Sequence, residues 1–273
     1  MRKIATETRE VDGVHALRGS FSLFGFPFFF CTYVVDGLMI DTGPVCARRQ
    51  IRDFASQLQL QQVVLTHWHE DHSGNAAVLA GERGIPVCLA SKTAGLLSTS
   101  ALPFYRRLAW GDVTEPVTGN IVDRWIETPR HRFRVVETPG HSEDHICLVE
   151  EDKGWVFAGD LFLATRLNYG MKNESVRQMI ESIKKILSYP VEVIFCGHAG
   201  VVKNGRKAFE KKLHYLEWLR EETVQLAQAG CDPGEITRKL LPRQYLLRLL
   251  SQGEMSPAHL IHSILEEEGC HAC

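Results

Sequence analysis

The sequence predicts an α/β protein, on two observations. Short apolar runs with strand character recur along it: Val63-Val64-Leu65, Phe133-Arg134-Val135-Val136, Trp155-Val156-Phe157-Ala158 and Val191-Glu192-Val193-Ile194-Phe195. Stretches with apolar residues at helical spacing alternate with them, as in Val176, Met179, Ile180, Ile183 and Leu187, a spacing that lays one helix face against a sheet. At 273 residues the chain can bury a full core, as one large domain or one domain with an appendage.

The elements follow in order. Val14 to Gly19 and Cys31 to Ile40 read as strands, with Asp36-Gly37 as a hairpin turn. Between them, Phe21 to Phe28 is interrupted by Gly25 and Pro27, which predicts a loop rather than a strand. A helix is expected from about Gly74 to Glu82, then a strand over Ile85 to Ala90. Residues 91–130 break this alternation and are rich in Ser, Thr, Gly and Pro, with Phe104, Tyr105 and Trp110 between. Long insertions of this kind are often functional. Leu161 to Asn173 reads as a further loop, containing Arg166, Asn168 and Tyr169. Arg206 to Ala229 has helical spacing, with Phe209, Leu213, Leu216 and Trp218 on the packing face. Asp232-Pro233-Gly234-Glu235 is a helix start, with Asp as cap, Pro in the first turn and Glu three residues on. Ser256-Pro257 starts the final helix and Gly269 ends it.

Composition narrows the function classes. A hydrophobic share of 44% and a charged share of 23% are those of an ordinary globular protein. No apolar run reaches the ~20 residues that span a bilayer, and the first residues lack the hydrophobic core of a signal peptide. A cytoplasmic protein without membrane association is expected. The formal charge of −2 argues against a dedicated nucleic-acid binder. Two basic clusters, Arg130 to Arg134 and Lys203 to Lys212, would either meet an anionic substrate or form a solvated face. Cys31, Cys88, Cys147 and Cys196 lie in strand-like stretches and read as buried free thiols. Cys270 and Cys273 form a single pair at the end of the chain, short of a zinc-finger pattern.

The chemistry concentrates in His67-Trp68-His69-Glu70-Asp71-His72, where His67, His69, Asp71 and His72 are metal-capable within six residues. Strand alternation would send His67 and His69 the same way and Glu70 to the opposite side, outward or behind the ligands. Pro139-Gly140-His141, Gly159-Asp160 and Gly197-His198 each close another apolar run. Glycine lets the backbone turn sharply at such a strand end and approach an ion closely. Together these strand ends predict a dinuclear metal site.

Thr66-His67-Trp68-His69-Glu70-Asp71-His72-Ser73-Gly74-Asn75, Thr138-Pro139-Gly140-His141-Ser142, Gly159-Asp160, Gly197-His198 and Ile40-Asp41-Thr42-Gly43 resemble the motifs of the metallo-β-lactamase superfamily. The resemblance covers about residues 10 to 205 and falls in the hydrolase branch near glyoxalase II and the lactonases. It implies a four-layer αββα sandwich of two mixed β-sheets flanked by helices. Residues 1–205 would be the catalytic domain, with 91–130 as a substrate-shaping insertion, and 206–273 a helical C-terminal extension. His67, His69 and His141 would hold one ion, Asp71, His72 and His198 a second, and Asp160 would bridge them. Asp41 would fix a ligand imidazole through its other N–H. Two divalent transition-metal ions are thus expected, zinc first, with iron or manganese as alternatives.

The implied reaction is hydrolysis of an ester-like bond, a thioester or lactone of a small molecule, by a metal-bridging hydroxide. Asp71 would relay a proton to the leaving group. The rivals are a ribonuclease Z-like phosphodiesterase and a mononuclear iron persulfide dioxygenase. His69 stands where oxygen-reducing relatives carry glutamate, which points to hydrolysis. By the same resemblance the Phe21 to Phe28 segment would lean over the site and favour a substrate with an apolar portion. The alternatives for it are a homodimer contact or a plug of the core.

Overall fold

A computed structural model describes residues 3–100, 102–113 and 115–269. Its first sheet takes strands in chain order: β1 (Ala5–Val11), β2 (Val14–Leu23), β3 (Phe26–Val35), β4 (Leu38–Ile40), β5 (Gln62–Val64), β6 (Val87–Leu89) and β7 (Asn120–Ile121). The first four pair antiparallel, and β4 through β7 pair parallel. The helices of this half are α1 (Arg48–Ser56), α2 (Glu70–Ser73), α3 (Ala76–Arg83), α4 (Ser91–Thr99) and α5 (Phe104–Trp110).

The second sheet contains β8 (Trp125–Glu127), β9 (Arg132–Glu137), β10 (Ile146–Glu150), β11 (Trp155–Gly159), β13 (Val193–Cys196) and β14 (Gly200–Lys203). Only β11 and β13 run parallel in it. A small ribbon pairs β12 (Gly170–Met171) with β15 (Met255–Ser256). The remaining helices are α6 (Val176–Ile186), α7 (Gly205–Gln228), α8 (Pro233–Leu240), α9 (Tyr245–Leu250) and α10 (Pro257–Glu267).

Alternation along the strands explains the layers. Ala16, Tyr33, Leu38 and Ile40 of the first sheet meet Phe133, Leu148, Phe157 and Phe195 of the second between the sheets. The opposite face of the first sheet, with Leu17, Met39 and Val63, is covered by Ile51, Phe54, Leu79 and Trp110. The opposite face of the second, with Val149, Val156 and Ile194, is covered by Met179, Ile180, Phe209, Leu216, Ile236 and Leu260. The result is the four-layer sandwich of two mixed sheets, with the C-terminal helices continuing its outer layer. Asp232 and Glu235 form a reciprocal capping box at α8, and Ser256 caps α10. Among the described residues, no helix is long and apolar enough to cross a membrane.

Several expectations are corrected. Phe21 to Phe28 is a hairpin of β2 and β3 with its turn at Phe24 and Gly25, both at positive φ. Two left-handed residues make the primed turn that suits a two-residue hairpin. Pro27 is tolerated because β4 pairs only with Tyr33 to Val35, leaving this part of β3 at an edge where no N–H is needed. The expected helix from Gly74 is two helices, the first starting at Glu70. The second half of residues 91–130 supplies β7 and β8 to the sheets, so the part outside the alternation is α4, α5 and their connections. Trp218 is 43% exposed and does not belong to the packing face of α7. Cys270 and Cys273 lie outside the described residues.

The first basic cluster is paired with carboxylates, whereas the second keeps Lys203, Lys207 and Lys211 exposed. Arg130, Arg132 and Arg134 pair with Asp36, Glu127 and Glu151. They also lie at the start of β9, whose far end carries Pro139-Gly140-His141. Arg206 donates to the carbonyls of Leu187 and Tyr189, and Lys212 is buried.

Candidate metal centre

β5 ends at Val64, so pleat alternation does not deliver His67 and His69. They leave the loop between β5 and α2, and His69 occupies the position just before that helix. Asp71 and His72 follow on α2. His141 comes from the loop after β9, Asp160 follows β11, and His198 lies in the β13–β14 turn. Gly197 permits this approach: a Cβ there would stand 2.5 Å from His72 Cε1 and 2.7 Å from Asp160 Oδ1.

The loops bring all seven expected ligands together, in groups whose ligand atoms lie within 4.8 Å of one another: His67, His69 and His141; His67, His72 and Asp160; Asp71, His72 and His198. His69 Nδ1 is 3.0 Å from both His67 Nε2 and His141 Nε2. A tetrahedral zinc ion with bonds of ~2.0–2.1 Å holds nitrogens about 3.3 Å apart. Asp160 lies between the two sets: Oδ2 is 3.3 Å from His141 Nε2 and 3.1 Å from His198 Nε2, and Oδ1 is 3.3 Å from His72 Nε2. Asp71 Oδ2 is 3.3 Å from His198 Nε2.

The outer nitrogens of His67, His72, His141 and His198 are engaged. His72 Nδ1 donates to Asp41 Oδ2 at 2.7 Å, His141 Nδ1 to Glu174 Oε1 at 2.7 Å, and His198 Nδ1 to the Phe29 carbonyl at 2.5 Å. Thr66 Oγ1 donates to Asp41 Oδ2 at 2.8 Å, so the His67 Nδ1–H, 3.0 Å away, donates to Thr66 Oγ1. These contacts select tautomers whose inner lone pairs point at one another, as a metal requires. His72 Nε2 and Asp160 Oδ1 are buried without a hydrogen-bond partner. Buried polar atoms are rarely left so, and a cation among them would satisfy both. The residues fit divalent ions.

Electrostatics divides the cluster. Burial and neighbouring imidazoles hold His67 well below its ordinary range; burial, Arg106 and His141 do the same to His69. Burial opposes charge on His72 too, but Asp160, Asp41 and Asp71 outweigh it and raise it well above the ordinary value. His198, against the same burial, is held up at about 9 by Asp160 and Asp71. Burial would raise Asp160, yet His198 and His72 hold it well below the carboxylate range.

Sequence reasoning missed several supporting groups. Glu70, expected outward or behind the ligands, is inside, 1% exposed, and its carboxylate takes two hydrogen bonds from Arg106 of α5, the unforeseen partner, at 2.7 and 2.5 Å. His145 Nε2 accepts the Asp160 N–H at 3.0 Å, with Nδ1 2.8 Å from Thr138 Oγ1. Asp144 accepts from Trp68 N at 2.9 Å and ties the His141 loop to the His67 loop. His145, four residues after His141, was legible as a nearby histidine. Nothing local marks Glu174 or Arg106.

The metallo-beta-lactamase superfamily profile matches residues 30–198. The chain is 28% identical over 206 residues to an atrochrysone carboxyl ACP thioesterase from Aspergillus fumigatus, covering 72% of this chain and 58% of that protein. It is 30% identical over 177 residues to a hydroxyacylglutathione hydrolase from Halorhodospira halophila, covering 64% and 60%. The alignments thus span about three fifths of the length of these relatives. A solved beta-lactamase domain protein from Burkholderia ambifaria superposes with a TM-score of 0.67 at 18% identity, covering 96% of this chain and 90% of that one. A metallo-beta-lactamase family protein from Thermus thermophilus gives 0.65 at 18%, covering 97% and 94%. The profile match over more than half the chain and the shared sandwich carry one conclusion: this protein belongs to the metallo-beta-lactamase superfamily.

Proposed function

We propose that the protein is a dinuclear metal-dependent hydrolase of an ester-like bond, with a thioester as the first substrate class and a lactone as the second. The observation that carries this reading is the convergence of five imidazoles and two carboxylates, with His72 Nε2 and Asp160 Oδ1 left unsatisfied. His67, His69 and His141 would hold one ion, Asp71, His72 and His198 the other, with Asp160 between. Ions held there would polarise a carbonyl oxygen and lower the pKa of water from ~15.7 towards ~7. Zinc suffices for such chemistry because no redox change occurs. Asp71, whose Oδ2 lies beside His198, would take a proton from the attacking water and pass it to the leaving group. The thioesterase and the hydroxyacylglutathione hydrolase among the relatives support the thioester choice.

The exposed tip of the hairpin would give the site an apolar wall, carried by buried rings beneath it. Phe21, Phe28 and Trp110 pack ring against ring, and Trp110 lies 6.2 Å from the His198 ring. From Phe29, whose carbonyl holds His198, five more residues carry the strand about 16 Å to the tip, where Phe24 is 65% exposed. Such a wall suits a substrate with an apolar acyl portion. The test loads metal-free protein with zinc and follows thioester and lactone opening under anaerobic conditions, beside single-stranded RNA. Thioester turnover without oxygen is expected. Turnover that needs iron and consumes oxygen would replace this reading with persulfide oxygenation, and turnover of RNA alone with phosphodiester cleavage.

A further inference from the structure

The segment between Asp160 and Glu174 links the central carboxylate to the partner of His141, and residues of the C-terminal helices hold it at successive points. Lys212 of α7 is buried, and its Nζ donates to the carbonyls of Leu161 at 2.6 Å and Phe162 at 2.7 Å. These are the two carbonyls that follow Asp160. Nearly one turn further along α7, the Tyr215 hydroxyl donates to the Leu167 carbonyl at 2.6 Å. β15 pairs with β12 at Gly170 and Met171, and the Met171 N–H donates to Glu174 Oε2 at 3.1 Å. Just past Glu174, the Ser175 hydroxyl donates to Glu267 of α10, which also accepts from Arg177 N at 3.0 Å.

Packing alone does not call for these groups. An apolar side chain would fill the Lys212 position without the desolvation that a buried ammonium suffers, a burden that brings this amine down to about 8. What lysine adds there is a pair of hydrogen bonds to the backbone leaving Asp160. Glu267 likewise acts on the backbone that leaves Glu174.

We propose that the C-terminal helices are a positioning frame for the metal centre, with Lys212 setting Asp160 and Glu267 setting Glu174 and through it His141. The inference rests on the metal-centre reading above. Partners that orient ligands in this way typically change metal affinity 10–100-fold when removed.

The test uses the full chain as wild type, Lys212→Met, Glu267→Gln and Tyr215→Phe. Lys184→Met serves as the control, because Lys184 pairs with Glu217 between α6 and α7, a residue outside the 161–177 segment. Zinc affinity is measured by competition with a chromophoric chelator, coordination by the visible spectrum of the cobalt-substituted protein, and stability by melting of the metal-free protein. Lys212→Met is expected to weaken zinc binding about tenfold or more and to shift the cobalt bands. Glu267→Gln should act in the same direction, while Lys184→Met matches wild type. Variants that melt lower yet bind zinc within twofold of wild type, with an unchanged cobalt spectrum, would reduce these contacts to packing and overturn the frame. If Lys212→Met does not fold, Glu267→Gln and Tyr215→Phe decide by the same readouts. A wild-type chain that binds no zinc would remove the metal reading together with the frame; wild-type binding with unaltered variants removes the frame alone.

Discussion

Asp41 does more than accept one hydrogen bond. It receives the His72 N–H, the Thr66 N–H at 2.8 Å and the Thr66 hydroxyl, from a left-handed backbone with φ of 57°. Asparagine tolerates that conformation as well, so Asp41→Asn keeps the backbone while it removes the charge and one of the two acceptor oxygens. Metal affinity should fall about 10–100-fold in a chelator competition, and an unchanged affinity would deny Asp41 any part in orienting His72. Elemental analysis provides the second check. About two ions per chain are expected in reconstituted protein, His67→Ala and His141→Ala should deplete one of them, and Asp160→Ala both. One ion or none in the wild type would end the dinuclear assignment. The candidate ligands are legible in the sequence because each lies in a short local motif at a strand end. Their supports are not: Glu174 reaches His141 across 33 positions and Arg106 reaches Glu70 across 36, so only the fold makes them neighbours.

At the level of elements, α5 is bound to α2 through Glu70 and Arg106, both almost fully buried. Breaking a buried pair by removing one partner costs about 3–5 kcal/mol, whereas replacing both with apolar groups is often neutral. Arg106→Met should therefore destabilise strongly in urea unfolding, and Arg106→Met with Glu70→Met should recover most of the loss. If the double variant is no better than the single one, the pair's charge balance is not what holds α5 in place. The β2–β3 hairpin offers a test of specificity. Phe24→Ser should raise KM for long-chain acyl thioesters with kcat little changed, since an interaction equal in ground and transition states is lost. KM values that stay level across an acyl-length series would place Phe24 outside substrate contact. The hairpin was misread because Gly25 and Pro27 usually end strands; here glycine forms the turn and proline lies at an unpaired edge. The capping box at Asp232 was legible because its signal is complete within four residues.

Across the whole molecule, the candidate ligands are divided between the two halves of the sandwich. His67, His69, Asp71 and His72 come from the first sheet's loops, and His141, Asp160 and His198 from the second. Asp71 and His198, proposed to hold one ion together, stand 198 − 71 = 127 positions apart, and an ion held between them would close that loop as a crosslink does. Closing a long loop removes much freedom from the unfolded chain, and a metal bound only by the native state adds its binding free energy to folding. At one hundred times its dissociation constant the ion would contribute about 2.7 kcal/mol, or about 5–10 °C of melting temperature for a chain of this size. Chelation should lower the melting temperature by that amount, and no shift would mean the halves are joined without the ion. The same division has a dynamic consequence. His72 and Asp160, one from each half, are then both centre and latch, so amide exchange at the ends of β5 and β11 should quicken together on metal removal. With a site assembled across a seam in this way, the metal content of the protein would report whether the seam is closed.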